Sequence, residues 1–540
     1  MKNIIIKYLL FFLPLLMMAT GCTKRFTDIN TNPAGISSDA FKADFQQVIL
    51  TLQNAQKSIV HYTQYQIQEN LNADIYSGYM MTPTPFNGGN NNSNYFMMDG
   101  WNTSILNAAY NDVLQSVSDY YRLSKDYSGV DFSFPDAMAK MIRVIDMHRV
   151  ADVFGPVIYT HYGQPNADLS VDYDSQKDAY TAFFADLDTV TMALKPFVTG
   201  SKKVLPAFAK ADLVYGGNAA NWLMLANTLR LRLALRIVYA DAATAKMQGE
   251  NALAATGGLI TDNSANALID FGMRHPMSEI IGWGDIRSGA PLGSMLGGYH
   301  DPRITHYMAP AIDVAVTGQY IGIRNGIAID SKDRYSGFSI PMAKSASADY
   351  FDANDGKAKI ASAAETWFLK AEAALHNWAG AGNAQTDYET GIAKSFEEWG
   401  AGSASAYISD ASSSAAPYTD PKAKTTGQND IATGDRNLST ITIKWDEAAA
   451  LETKLERIIT QKWIALYPDG QEAWSEFRRT GYPKLFPVVV NNSGGTITGF
   501  IKRLPIPSQY QSNNQPGYKK AVETLGGPDN GGTRLWWDKK

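Results

Sequence analysis

Cysteine is almost absent: Cys22 is the single one among 540 residues. No internal disulfide can form, and no thiolate cluster can hold a metal. Beyond the first residues no apolar run reaches the roughly 20 residues that a membrane-spanning helix requires. Charge is also sparse, at 19% of residues with a formal net charge of -5. No Lys/Arg run breaks that balance, which excludes a nucleic-acid partner. Catalytic signatures are missing too. The seven histidines, His61, His148, His161, His275, His300, His306 and His376, show no HExxH spacing, so no zinc site is expected. There is no phosphate-binding glycine loop ending in Lys-Ser or Lys-Thr and no G-x-S-x-G elbow. No cofactor is predicted. The paired acids of a glycosidase are defined by their separation in space and leave no mark in a sequence.

What is present begins with an export leader. Lys2 and Lys7 supply a positive end, Tyr8 to Met18 an apolar segment, and Ala19, Thr20 and Gly21 small residues. Cys22 follows them directly, as in a lipobox, where the thiol accepts a diacylglyceryl group. Two or three acyl chains anchor a protein stably, whereas one is marginal. The competing reading is an ordinary signal peptide with a coincidental cysteine. Ala19, in place of Leu, is the weakest letter of the motif. Residues 1–21 are thus expected to be a lipoprotein signal peptide and 22–38 a lipidated tether, with Asn30, Asn32, Pro33 and Gly35 favouring turns.

From there to about Tyr239 helical periodicity dominates. Phe45, Val48 and Leu52 open one amphipathic segment, and Ile105, Ala109, Leu114 and Val117 mark another. Met138, Met141, Ile142 and Ile145 form a core stripe that ends at Phe154-Gly155-Pro156, and Trp222, Leu225, Leu229 and Leu233 form a second. Small residues on such stripes (Ala219, Ala226, Ala371, Ala374) allow close helix pairs. No clean 34-residue period appears, so any tetratricopeptide-like units are divergent. Between Thr256 and Asp355 glycine-rich turns predict an irregular region. Helices return at Ala361 to Asn377, at Gln385 to Trp399 and, as the last strong helix, from Glu452 to Thr480. The Ser/Ala/Thr/Asp-rich stretch Ala401 to Thr440 reads as an exposed excursion. Asp352-Ala353-Asn354-Asp355-Gly356 lacks the spacing of a calcium loop and reads as a turn.

Aromatics make up 11% of the chain, including 28 Tyr and 11 Trp, enough to supply ligand-gripping surfaces as well as a core. Sugar rings are held by flat aromatic faces against their C–H faces, with amides or guanidinium groups taking adjacent hydroxyls. The segment Tyr76 to Trp101 has that composition. Tyr79, Phe86 and Tyr95 are its candidate stacking residues and Asn87 its candidate amide, whereas Trp101 reads as the start of the next helix, packed in the core. A second candidate patch is Trp283, Asp285, Arg287 and Tyr299, with Tyr335 beside it. The opposing reading has Trp283, set between two glycines, plugging a small core of its own.

Several patterns spread along the chain resemble the SusD/RagB family: Asn30-Thr31-Asn32-Pro33; Asp152 to Tyr159; Trp222 to Leu233; Phe368 to Ala374; Gln461-Lys462-Trp463; Glu472-Ala473-Trp474; Glu476 to Pro483; Arg503-Leu504-Pro505; and Leu535 to Asp538. The resemblance implies a mainly α fold, a SusD-like superhelix of four divergent tetratricopeptide-like helix pairs in a right-handed scaffold with a loop-rich lobe. The domain would span 39–540, with the scaffold mainly at 39–255 and 361–480 and the lobe mainly at 256–360 and 401–440. It also implies a non-enzymatic outer-membrane lipoprotein facing the cell exterior, which captures glycans and delivers them to a SusC-like TonB-dependent transporter. Family members commonly carry ligand-stacking aromatics where Tyr76 to Trp101 lies. Trp463, Trp474, Trp536 and Trp537 fall in scaffold-like segments and read as packing, and Arg478 and Arg479 as holding helix ends or carboxylates. A peptide-import receptor of the RagB kind and a surface glycan hydrolase are the alternatives. Thr23-Lys24-Arg25 departs from the acidic residues that often follow the lipidated cysteine of exported relatives.

Overall fold

A computed structural model describes residues 42–272, 274–342 and 357–540. The leader, Cys22 and the 352–356 turn lie outside these residues. The chain divides into two compact units, Met1–Gln47 and Val48–Lys540. The larger is mainly helical, with two two-stranded sheets among the described residues.

Helix α1 (Gln46–Ile59) buries Val48, Leu52, Ala55 and Ile59 on one face and is followed by a π-helical stretch, Gln66–Asp74. Helices α2 (Asp99–Asn107) and α3 (Gln115–Ser124) are joined by a second π-helical stretch, Ala108–Leu114. Four pairs of longer helices follow. They are α4 with α5 (Ser133–Phe154, Gln176–Val198), α6 with α7 (Ala219–Arg236, Ala242–Leu253), α8 with α9 (Ala363–Leu375, Ala384–Trp399), and α10 with α11 (Leu451–Leu466, Gly470–Thr480). Adjacent pairs pack on one another through α5 on α6, α6 on α8, and α8 on α10. The predicted stripes form this core: Met138, Met141, Ile142, Ile145, Trp222, Leu225, Leu229 and Leu233 are all buried. Helix starts follow capping chemistry, as Ser175, Asn218, Ser362 and Asn383 each accept a hydrogen bond from a first-turn N–H. Helix α4 stops at Gly155, whose φ of 89° an L side chain rarely adopts.

Two expectations change. The segment Glu452 to Thr480 is two helices, because Pro468 cannot donate to a helix and Asp469 starts a new one by accepting from the Glu472 N–H at 3.2 Å. Gly470 has no room for a side chain, since a Cβ there would lie 2.2 Å from Asp74 Oδ1. The polar stretch 401–440 is not a solvated excursion, for it buries Tyr407, Tyr418, Ile431 and Leu438 and closes a bridge between Tyr418 and Ile431.

The centre of the helical stack is ionic. Arg236 contacts Glu472 at 2.5 Å, Glu476 at 3.0 Å and Asp152 at 3.4 Å. Arg479 grips both oxygens of Glu372 at 2.6 and 2.7 Å and reaches Glu476 at 2.6 Å, and Lys462 lies 3.0 Å from Glu476. Arg232 pairs with Glu365 at 2.5 Å. All these groups are buried, so each charge is tolerable only because its partners are fixed around it. Burial pushes the Glu476 carboxyl up, but the attractions of Arg479, Lys462 and Arg236 outweigh it and hold the group well below the usual carboxylate range. Arg478 instead donates to the carbonyls of Asp152 and Lys502 and lies over the Trp474 ring.

Replacing Arg479 by Met would strand Glu372 and Glu476, and a loss of about 3–5 kcal/mol of stability is expected in urea unfolding. Asp146 provides a pH test. Burial, beyond what the charge of Arg149 offsets and with Glu69 and Asp112 adding repulsion, pushes its carboxyl up to about 8. Since the folded value lies above the unfolded one, the stability that this group contributes is complete below about pH 4 and is lost as pH rises through 8. Urea midpoints at pH 5 and pH 9 should therefore shift in favour of Asp146→Asn over the native chain at the higher pH.

Candidate functional site

The segment between the first π-helix and α2 is folded by its own asparagines. The side chain of Asn91 accepts from the Ser93 N–H at 3.0 Å, and that of Asn94 accepts from the Asn91 N–H at 3.1 Å. Asn92 is buried, donating to Asn102 Oδ1 at 3.0 Å and accepting from the Met98 N–H at 2.7 Å. Asn87 donates to the Asn90 carbonyl at 2.7 Å and remains exposed at the tip. These amides spend their hydrogen bonds on the loop, so the segment is shaped before any ligand arrives.

The loop's aromatics divide into two sets. Tyr79 is fully buried, its hydroxyl donating to the Trp463 carbonyl and its ring 4.8 Å from that of Trp463. Tyr95 is buried against Tyr76, with ring centroids 6.3 Å apart. Phe86 is half-buried, edge-on to Trp101 with ring centroids 5.6 Å apart. Trp101 does begin a helix but is only half-buried, and Phe96 is 43% exposed.

The second candidate patch is brought to this loop by strand pairing. Strand β1 (Met80–Met81) pairs antiparallel with β3 (Arg287–Ser288), with β2 (Ala267–Asp270) lying between them in sequence. Asp285 then bolts the two segments together. It accepts from the Thr84 hydroxyl at 2.5 Å, from Gln66 Nε2 at 3.2 Å and from Lys332 Nζ at 2.8 Å. Lys332 also donates to the Trp283 carbonyl at 2.7 Å. With its backbone held this way, the Trp283 side chain is 53% exposed, so it does not plug a core.

The other candidates of this patch face inward. Arg287 is buried, and its guanidinium donates to the carbonyls of Ser336 and Ile286, at 3.0 Å for the Nε bond. Burial pushes it down to about 10 despite the charge of Asp285. Tyr299 donates to the Ile441 carbonyl at 3.0 Å and Tyr335 to Asp420 at 2.8 Å, both from buried positions. The candidate surface therefore narrows to Phe86, Asn87 and Trp283, edged by Phe96 and Trp101. Gln66, Thr84 and Lys332, which position Trp283, carried no signal in the sequence, because each is an isolated polar residue far along the chain from its partner.

The fold and site define a stack of helix pairs that holds an aromatic surface on loops. The chain belongs to the SusD-like family, the SusD and RagB outer membrane lipoproteins, which it matches over residues 28–538. It is similar to the structure of a chitin-binding SusD homolog from Flavobacterium johnsoniae, at 38% identity over 91% of this chain and 99% of that one, with a TM-score of 0.82. A SusD homolog from Bacteroides vulgatus is 34% identical over 92% of this chain and 98% of its own, with a TM-score of 0.83. A SusD-like protein from Bacteroides thetaiotaomicron is 30% identical over 92% and 99%, with a TM-score of 0.81. No curated protein matches by sequence. Among the described residues no helix is long and apolar enough to cross a membrane.

The division into surface and core aromatics has a direct check in urea unfolding. Trp283→Ala should leave stability within about 0.5 kcal/mol of the native chain. Tyr79→Phe, which leaves the Trp463 carbonyl without its donor, should cost about 1–3 kcal/mol.

Proposed function

We propose that the protein is a lipid-anchored receptor on the outer membrane, facing the cell exterior, which captures a glycan on the Phe86 and Trp283 surface. It would then deliver that glycan to a SusC-like TonB-dependent transporter, with Cys22 carrying the lipid and other proteins breaking bonds. Membership of an outer membrane lipoprotein family supports the setting. The observation that carries the binding role is the exposure of Trp283 on a backbone fixed by Asp285 and Lys332. A tryptophan on an anchored backbone gains dispersion and apolar burial against a sugar face without paying to order a loop. Asn87 beside Phe86, whose amide N–H serves the Asn90 carbonyl, offers its side-chain oxygen as an acceptor for hydroxyls. The similarity to a chitin-binding homolog makes β-linked N-acetylglucosamine oligomers the first ligands to try.

Isothermal titration of the mature protein with chito-oligosaccharides and a panel of chemically different glycans tests this reading. Saturable binding of one class is expected, and Trp283→Ala should weaken it about tenfold, equivalent to about 1.4 kcal/mol. Binding of no glycan in the panel, or binding unaltered by Trp283→Ala and Phe86→Ala together, would refute it.

A further inference from the structure

Beside the aromatic surface lies a cleft of about 330 Å³ with a different lining, including His61, Gln64, Ile67, Ser104, Asn107 and Asp112. Two π-helical stretches wall it: Ile67 comes from Gln66–Asp74 and Asp112 from Ala108–Leu114. π-Helical turns are rare and concentrate at functional sites, and here two of them meet at one cavity.

Chain neighbours of the cleft's lining reach the aromatic surface at two points. Gly100, on its wall, directly precedes Trp101, whose ring meets Phe86. Gln64 lies two residues before Gln66, the donor to Asp285. Its polar groups are partly preset. Asn107 Oδ1 accepts from the Tyr510 hydroxyl at 2.8 Å, which fixes the amide and leaves its N–H groups to donate. His61 Nε2 stands 3.5 Å from Asp112 Oδ2. Asp112 retains acceptor capacity for hydroxyls, because a carboxylate takes more than one donor. Its size is at the lower end of small-molecule sites, about 300–1,000 Å³.

We infer that this cleft is a separate polar subsite that takes one further unit of the same glycan, held through its hydroxyls by Asp112, Asn107 and Gln64 and not by stacking. It rests on the glycan-binding reading. Asp112, the one carboxylate of the lining, makes the cleft selective for neutral, hydroxyl-rich units over carboxylated or sulfated ones.

The experiment is a titration series of the mature protein with chito-oligosaccharides of two to six units. Two variants probe the cleft. Asp112→Ala removes the acceptor, and Gly100→Leu blocks the opening, since a Cβ there meets nothing within 4 Å and the fold can accept it. Native affinity should rise at least fivefold from the shortest to the longest ligand. Both variants should lose that rise while binding the shortest as the native protein does, whereas Trp283→Ala should weaken every length. A rise that persists in both variants overturns the subsite and leaves the glycan receptor standing. Absence of binding at every length by the native protein, in this series and in the wider panel, overturns both.

Discussion

The carboxylate of Glu476, enclosed by Arg236, Lys462 and Arg479, is the interaction on which the rest of the molecule is arranged. Buried charges are tolerated only in near-complete coordination. The helices carrying these groups, α6, α10 and α11, together with α8 through Glu372, must therefore take one relative placement. Apolar stripes alone permit sliding and alternative packing, which buried ion pairs penalise. The constraint extends outward. Helix α11 starts at Gly470, which lies against Asp74 at the end of the first π-helix, and its Trp474 ring is 5.0 Å from Tyr76. The base of the aromatic loop is thereby tied to the ionic centre.

Asp285 does for the surface what Glu476 does for the core, on a smaller scale. It gathers donors from the π-helix, the loop and the irregular region, and so turns three separate segments into one platform. A receptor built this way has little ordering left to do on binding. On the proposed reading, affinity would be set by what the aromatic faces offer to a ligand, not by a loop closing over it. The nearby polar cleft, as a proposed subsite, would add hydrogen bonding that the aromatic platform does not supply.

The aromatic content of Tyr76 to Trp101 was legible in the sequence, but its sorting was not. Tyr79 and Phe86 are seven residues apart in the same loop, yet Tyr79 is covered by Trp463 and Tyr467, almost four hundred residues away, and Phe86 is not. Composition likewise does not reveal that Asn91, Asn92 and Asn94 bond within the loop itself. The stretch 401–440 misled for a related reason. Its few large residues, Tyr407, Tyr418 and Ile431, are too widely spaced to make a periodic pattern, yet they find cover in the surrounding fold.

By itself the sequence determined most of the helices, their core stripes and the family, since these rest on spacing and on neighbours within a few turns. Only the tertiary structure decided which aromatics face outward, where the buried charges find partners, and that two π-helical stretches both contribute to the wall of one polar cleft. Those outcomes depend on contacts between residues tens to hundreds of positions apart, which no local pattern records.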